Sequence, residues 1–213
     1  MHRRKGGACD SVILSPTHLL SLEDRWRSII ANRPVGIQRP TVKPAQLTKQ
    51  RILDEATKLA HKRGFRATSL TDLLTAAGIK KGTLYYHFPG KDDLGLAVLE
   101  RAKTKFLATL DEVLTAPTPA ESIQRFFEFV LERHRSLRFI GGCLFGNTAL
   151  EMSDTNTRYA DCVGQLFRQW TGRLATAIRA GQKAGQFRAD IPAESLAQVI
   201  VSTVEGGIML SRL

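Results

Sequence analysis

Apolar positions recur every three to four residues through most of the chain after residue 47. That spacing gives a helix one apolar face and is typical of α-helices packed on a common core. It predicts long helices over 48–63, 91–114, 120–138, 157–185 and 192–210, with a short, glycine-led helix within 141–154. No segment shows the strict alternation of a half-buried strand, and no internal repeat stands out. The pattern therefore predicts an all-α protein.

Residues 69–88, SLTDLLTAAGIKKGTLYYHF, contain two shorter helical patterns that meet at Gly78. Ser69 and Asp72 have the spacing of a capping box at the start of the first helix. Gly78 is suited to the left-handed conformation that ends a helix. Two helices joined by so short a turn make a helix-turn-helix, whose second helix fits the major groove of DNA.

The second helix of this motif turns Leu84 inward and leaves a polar, basic and aromatic set outside. That set is Lys80, Lys81, Gly82, Thr83, Tyr85, Tyr86 and His87. Lysines neutralise phosphates, while tyrosine and histidine offer hydrogen bonds or flat surfaces at the backbone. Thr83 suits a phosphate or a thymine methyl group, and Gly82 permits close approach to the groove. The alternative for Tyr85 and Tyr86 is packing within the motif itself.

The string AAGIKKGTLYYHFPGKDDL resembles the tetracycline-repressor (TetR) family of bacterial transcriptional regulators. The resemblance implies a three-helix DNA-binding domain over 48–92 and a larger helical domain over 93–213 that binds a small-molecule effector and dimerises. It also implies repression from a palindromic operator in double-stranded DNA, with release when the effector binds. Lys91 matches a family lysine that often contacts a phosphate. We add Thr68 and Ser69, at the start of the motif, to the predicted DNA contacts.

The distribution of charge agrees with a nucleic-acid partner. The 213 residues carry 31 Lys and Arg against 20 Asp and Glu, a net charge of +11. Residues 1–47 contribute +5, residues 48–94 contribute +4, and residues 95–213 only +2. Such an excess suits a polyanion, nucleic acid first and an anionic membrane surface second.

Residues 1–47 are rich in basic residues, glycine and proline, which predicts a largely disordered N-terminal extension. A basic arm of this kind could follow the phosphates or enter the minor groove. The alternative is a leader with no function of its own. At the other end, the family pattern has one more helix than this chain, so the last helix of the dimer interface is expected to be lacking.

An effector pocket is predicted from aromatic residues on helices that surround a pocket in the family. The candidate ligand-binding residues are Phe106, Phe127, Cys143, Phe145, Asn147 and Trp170. For any one of the aromatic residues, the alternative is ordinary core packing. Cys143 could sense an electrophile or oxidant if its pKa were lowered, but no basic residue adjoins it in sequence, which favours an inert buried thiol.

Other classes of protein fit poorly. GGCLFG lacks the lysine of a phosphate-binding loop, and no catalytic constellation, metal-ligand spacing or cofactor motif is present, so we expect a non-enzyme with no metal and no cofactor. No apolar run approaches the about 20 residues that span a bilayer. The three cysteines have no paired spacing, which is typical of reduced thiols in a cytoplasmic protein. A DNA-binding helical protein without effector control remains the competing hypothesis.

Overall fold

The computed structural model describes residues 44–213, which form eight helices and contain no strand. The helices are α1 Pro44–Ala67, α2 Leu70–Ala77, α3 Lys81–His87, α4 Lys91–Val113, α5 Pro119–Ser136, α6 Leu144–Met152, α7 Thr157–Lys183 and α8 Ala193–Leu210. The all-α prediction is confirmed, with a helix-turn-helix near the N-terminus and a larger helical domain after it. We call α1–α3 the head and α4–α8 the body. Residues 1–43 of the predicted extension lie outside the described part of the chain.

The first helix begins at Pro44, four residues before the predicted start at residue 48. The prediction placed Pro44 in the disordered extension, but proline is well placed in the first turn of a helix, where its missing amide hydrogen has no partner to lose. At its other end α1 is interrupted at Gly64, whose φ of 83° and ψ of 169° are not helical. The predicted break at this glycine is confirmed, and one further turn follows it.

The helix-turn-helix forms as the local sequence predicts. The Ser69 hydroxyl accepts from the Asp72 amide while the Asp72 carboxylate accepts from the Ser69 amide, which completes the capping box. Gly78 ends α2 in the left-handed conformation at φ 59°. On α3, Leu84 is only 1% exposed and fixes the helix to the head core. No other residue of α3 is fully buried.

The body is built around α7, the longest helix, which packs against α4, α5, α6 and α8. Leu166, Trp170 and Leu174 lie on its buried face. The turn from α7 into α8 is held by Gln182, whose side-chain amide donates to two backbone carbonyls, those of Arg188 and Ile191. The last two helices therefore form a hairpin whose turn is fixed by side-chain hydrogen bonds.

The head is attached to the body through the broken end of α1. Glu151 on α6 accepts from the backbone amides of Phe65 at 2.9 Å and Arg66 at 2.6 Å. The Phe65 ring meets Tyr159 of α7 edge-on at 5.5 Å between centroids. A side chain on Gly95 of α4 would collide with the Tyr159 hydroxyl, so glycine is required for this close approach. These contacts link the start of the helix-turn-helix directly to two helices of the body.

Candidate DNA interface and effector cavity

The outer face of α3 is the candidate DNA interface. Lys80, Lys81 and Gly82 are exposed at its beginning, and no atom lies within 4 Å of where a Gly82 side chain would begin. Tyr86 is 78% exposed and Tyr85 is also exposed, so neither is part of the head core. This outcome excludes the alternative that both tyrosines pack inside the motif.

The outward side chains of α3 contact one another. The Lys81 ammonium lies 5.8 Å from the centroid of the Tyr85 ring, within the range of a cation–π interaction. The Tyr86 and His87 rings meet edge-on at 4.9 Å. Thr83 and His87 are half-buried beside them. Cations, hydroxyl donors and ring faces therefore share one short helical surface, a combination that suits the phosphates and base edges of DNA.

Three predicted DNA contacts lie outside α3 and differ in their surroundings. Ser69 is exposed, although its hydroxyl is bound to Asp72. The Lys91 ammonium donates to the backbone carbonyl of Arg66 at 3.2 Å, at the edge of the head. Thr68 corrects the prediction, because its side chain is buried and its hydroxyl donates to the carbonyl of Gly64 at 2.7 Å. Thr68 holds the bend after α1 and presents no side chain to DNA.

A cavity of about 790 Å³ opens between the head and the body. One wall is α1, and the others come from α4, α5, the start of α6, Trp170 of α7 and the end of α8. Phe106 is at the centre of its aromatic surface, with ring centroids 5.0 Å from Trp170, 6.3 Å from Phe145 and 6.5 Å from Phe129. The size and the mixed polar and apolar lining are those of small-molecule sites in proteins.

Four of the six predicted ligand-binding residues line this cavity: Phe106, Cys143, Phe145 and Trp170. Phe127 does not, and it is 40% exposed beside the buried ring of Phe126. Neighbouring residues on a helix point about 100° apart, so consecutive phenylalanines cannot both face the interior. Asn147 also lies outside the lining. Its side chain is used structurally, donating to the carbonyl of Gly141 at 2.6 Å and accepting from Arg212 at 3.1 Å.

Several polar lining residues were missed by sequence reasoning, among them His61, Arg133, His134 and Glu205. His61 was not predicted to bind a ligand, because it lies toward the polar side of α1. Burial lowers the pKa of His61 and of His134, and the charge of Arg133 lowers both further. Burial raises the pKa of Glu205. Helical periodicity carries no signal for these residues, since the cavity is formed by several helices distant in sequence.

The two cysteines of the described chain are unpaired and poorly ionised. Burial, followed by the charge of Glu205, raises the pKa of Cys143 far above that of a free thiol. Burial and a contact with Glu100 raise the pKa of Cys162 to about 11. Both thiols therefore stay protonated at neutral pH, and a protonated thiol is a weak nucleophile. The third cysteine, Cys9, lies outside the described residues.

Residues 44–213 contain no group of three or more histidine, cysteine or acidic residues placed to hold a metal ion. None of the helices in that range combines the length and the apolar character that a bilayer span requires.

Two domain families match the chain in the order that the fold shows. The domain described as "Bacterial regulatory proteins, tetR family" matches residues 52–98, which include the whole helix-turn-helix. The domain described as "Tetracyclin repressor-like, C-terminal domain" matches residues 119–213. The chain thus belongs to the TetR family of bacterial transcriptional regulators, which bind DNA through the N-terminal domain and ligands through the C-terminal one. Ligand-responsive repression is typical of this family, whose members are regulators rather than enzymes.

Characterised relatives and solved structures agree with this family. The chain is 28% identical over 178 residues to the transcriptional regulator AcuR of Cereibacter sphaeroides, covering 82% of this chain and 81% of the relative. It is 25% identical over 167 residues to the transcriptional repressor DhaR of a Mycobacterium species, covering 78% and 82%. The crystal structure of a TetR transcriptional regulator from Legionella pneumophila superposes with a TM-score of 0.69 at 30% identity, covering 81% of this chain and 89% of that one.

Proposed function

We propose that the protein is a dimeric, ligand-released repressor, acting in the cytoplasm, whose two α3 helices enter successive major grooves of a palindromic operator in double-stranded DNA. One observation carries the proposal: α3 presents a basic and aromatic outer face, and the head that bears it forms one wall of the cavity. The boundaries we assign are 48–92 for the DNA-binding part, with the helical turn at 44–47 before it, and 93–213 for the effector-binding and dimerising part.

On the DNA side, Lys80, Lys81 and Lys91 supply charge to the phosphates. Tyr85, Tyr86 and His87 fix the helix against the backbone, and Thr83 reaches a phosphate or a thymine methyl group. Gly82 has open space around it, so the groove can approach the α3 backbone there. Lys49, which sequence reasoning did not single out, adds a further cation close to α3, with its ammonium 5.4 Å from the centroid of the Phe88 ring.

On the effector side, a ligand in the cavity touches α1 and the body at once. Arg101 of α4 forms an ion pair with Asp54 of α1 at 2.9 Å across the cavity lining. A ligand that fits best when α1 and α4 are further apart shifts the heads away from the spacing that the operator requires. A differential affinity of about 1–3 kcal/mol between the two arrangements is sufficient coupling for such a switch.

Dimerisation is expected through the α7–α8 hairpin, where α8 exposes Val199, Met209 and Leu210. Exposed apolar side chains on one helix favour pairing with a second copy of the same surface, which is the usual symmetry of protein dimers.

A DNA-binding protein without effector control is the second candidate. A body without a cavity would favour this second candidate, whereas the cavity of about 790 Å³ favours a protein that binds an effector. The two are separated by titrating a purified repressor–operator complex with small molecules that raise its melting temperature. The repressor proposal expects at least one such molecule to release DNA. If every stabilising molecule leaves operator affinity unchanged, effector control is refuted.

A further inference from the structure

Two buried polar groups in the cavity lining have no hydrogen-bond partner within the described chain. They are the indole nitrogen of Trp170, a residue that is 3% exposed, and the Nδ1 atom of His134, a residue that is 7% exposed. Leaving such a group buried and unpaired is unfavourable, because its hydrogen bonds to water are lost and not replaced. Both residues line the cavity, although the two atoms themselves are buried in its wall. A ligand therefore pairs with them only when a side chain of the lining turns.

The chemistry of these groups restricts the ligand. An indole N–H can only donate, so Trp170 requires an acceptor atom. A carboxylate offers two oxygens that accept several hydrogen bonds, whereas an ammonium offers none. The third unpaired atom is an oxygen of Glu205. Burial raises the pKa of Glu205, and in its protonated form this side chain is able to donate to the same ligand.

The charges around the cavity also favour a ligand that carries acceptor atoms and negative charge. Five basic side chains line it: Arg51, Lys58, Arg101, Lys105 and Arg133. Lys58 is paired with Glu55 at 2.7 Å and Arg101 with Asp54. The three other cations have no carboxylate partner among residues 44–213, so the lining carries an excess of positive charge.

Arg133 marks where an acidic group would bind. Arg133 and His134 are neighbours on α5, and both line the cavity together with His61 of α1. The charge of Arg133 lowers the pKa of both imidazoles. We call these three residues the basic corner. A guanidinium binds carboxylates with two parallel hydrogen bonds, and each imidazole offers a further donor. An anion bound there would also favour protonation of both imidazoles, which strengthens its own binding.

We propose that the effector is an organic carboxylic acid bound as its anion, with its carboxylate between the basic corner and the indole N–H of Trp170 and its apolar body against Phe106 and Phe145. This inference rests on the proposed function and names the class of its effector. An organic cation is disfavoured by the excess of positive charge and by the donor-only indole. A phosphate is a further anion that an arginine can bind, but its second charge makes removal from water more costly.

Sets of matched probes test the proposal by calorimetry at pH 7.5. Benzoate, cinnamate and octanoate are compared with the corresponding amides and amines and with phenyl phosphate. We expect at least one carboxylate to bind ten-fold or more tightly than its amide, with no binding of its amine. Arg133→Gln should weaken that carboxylate at least ten-fold while changing amide binding little. Trp170→Phe, which keeps a ring and removes the N–H, should weaken it several-fold.

The matched control is Arg135→Gln. Arg135 lies two residues further along α5, is exposed, pairs with Glu132 at 3.0 Å and does not line the cavity. Its substitution should leave carboxylate affinity unchanged. The proposal is overturned if the two arginine variants lose equal affinity for the carboxylate. It is also overturned if an amide, an amine or the phosphate binds more tightly than the carboxylates, or if no carboxylate binds.

Operator binding, measured on the same samples, separates this inference from the proposed function. If neutral or cationic probes release the operator and carboxylates do not, the effector class is wrong and the repressor proposal stands. If the wild-type protein fails to bind any operator sequence, the repressor proposal itself fails, whichever probe binds in the cavity.

Discussion

Individual residues decide whether the head can be attached to the body. Gly64 has φ 83° and ψ 169°, a conformation that is open almost only to glycine. A side chain there would also begin 2.6 Å from the carboxylate of Glu151. Both constraints fall on the residue just before the two amides that Glu151 binds, so the bend and the attachment depend on the same glycine.

We therefore predict that Gly64→Ala is much more damaging than Gly78→Ala. Backbone strain at Gly64 is expected to cost about 1–3 kcal/mol, and the clash with Glu151 adds to it. At Gly78 the added methyl meets no atom within 4 Å, so only the left-handed conformation is penalised, by about 1–2 kcal/mol. Chemical denaturation measures both losses. Equal losses would show that the contact with Glu151 is unimportant.

The state of Cys143 is a second question at the residue scale. The raised pKa of this thiol means that it is protonated well above neutral pH, so we predict alkylation by iodoacetamide at pH 7.5 at least ten-fold slower than that of a free thiol. Glu205→Gln removes a neighbouring carboxylate that raises this pKa, so labelling should become faster. Mass spectrometry of the Cys143 peptide gives both rates. Rapid labelling of the wild-type protein would instead support an electrophile or oxidant sensor.

At the scale of elements, α6 connects the cavity to the head. Its start, from Cys143 to Phe145, lines the cavity, and Glu151 in its last turn accepts from the amides of Phe65 and Arg66. A ligand that displaces the start of this short helix would therefore also displace Glu151 and, with it, the end of α1 that Glu151 binds. Hydrogen bonds between a carboxylate and backbone amides are among the stronger ones in proteins.

We predict that Glu151→Gln weakens this attachment. Replacing the charged acceptor should lower the free energy of unfolding by about 1.5–3 kcal/mol and speed hydrogen exchange at the Phe65 and Arg66 amides. The matched control is Glu112→Gln, an exposed glutamate on α4. Unchanged exchange at both amides would contradict the role assigned to Glu151.

The helices were largely predictable from sequence because each carries its own periodicity and end signals. The capping box at Ser69 and the left-handed Gly78 are local, and both were correctly predicted. The helix-turn-helix face was predictable for the same reason, since all of its α3 residues come from the short stretch 80–87. Thr68 was the exception, because its burial depends on a bond to the carbonyl of Gly64.

The cavity was only partly predictable, because it is formed by six helices that meet through tertiary packing. Aromatic residues such as Phe106 and Trp170 could be anticipated from their abundance on the right helices. Phe127 lies outside the cavity lining, and its sequence position could not show this, because two adjacent phenylalanines give no sign of which ring faces the interior. His61 and Glu205 were missed because polar residues on a helix normally face solvent, and only the assembled fold shows otherwise.

At the scale of the whole molecule, two heads must be held at a fixed distance. A pair of recognition helices reads two half-sites about 34–36 Å apart, or a multiple of that distance. The pairing of two copies through α8 is thus as important to the proposed function as α3 itself.

We predict that the wild-type protein sediments as a dimer at micromolar concentration and that Val199→Glu shifts it toward the monomer. Val199 is exposed on α8, and a charge in a paired apolar interface is strongly unfavourable. Operator affinity should fall as the dimer is lost. The control is Leu150→Glu, a similarly exposed apolar residue on α6. A monomeric wild-type protein would refute the two-headed arrangement.

The most direct test of the central claim is selection of bound sequences from random duplex DNA, followed by affinity measurements over a range of salt concentrations. A protein whose α3 enters the major groove should select a palindrome. Lys81→Ala should reduce the slope of log affinity against log salt by about one, while exposed Lys183→Ala on α7 should not. Tyr86→Ala should weaken operator binding without loss of helical content. Selection of no consensus sequence, with affinity unchanged in both α3 variants, would contradict the account.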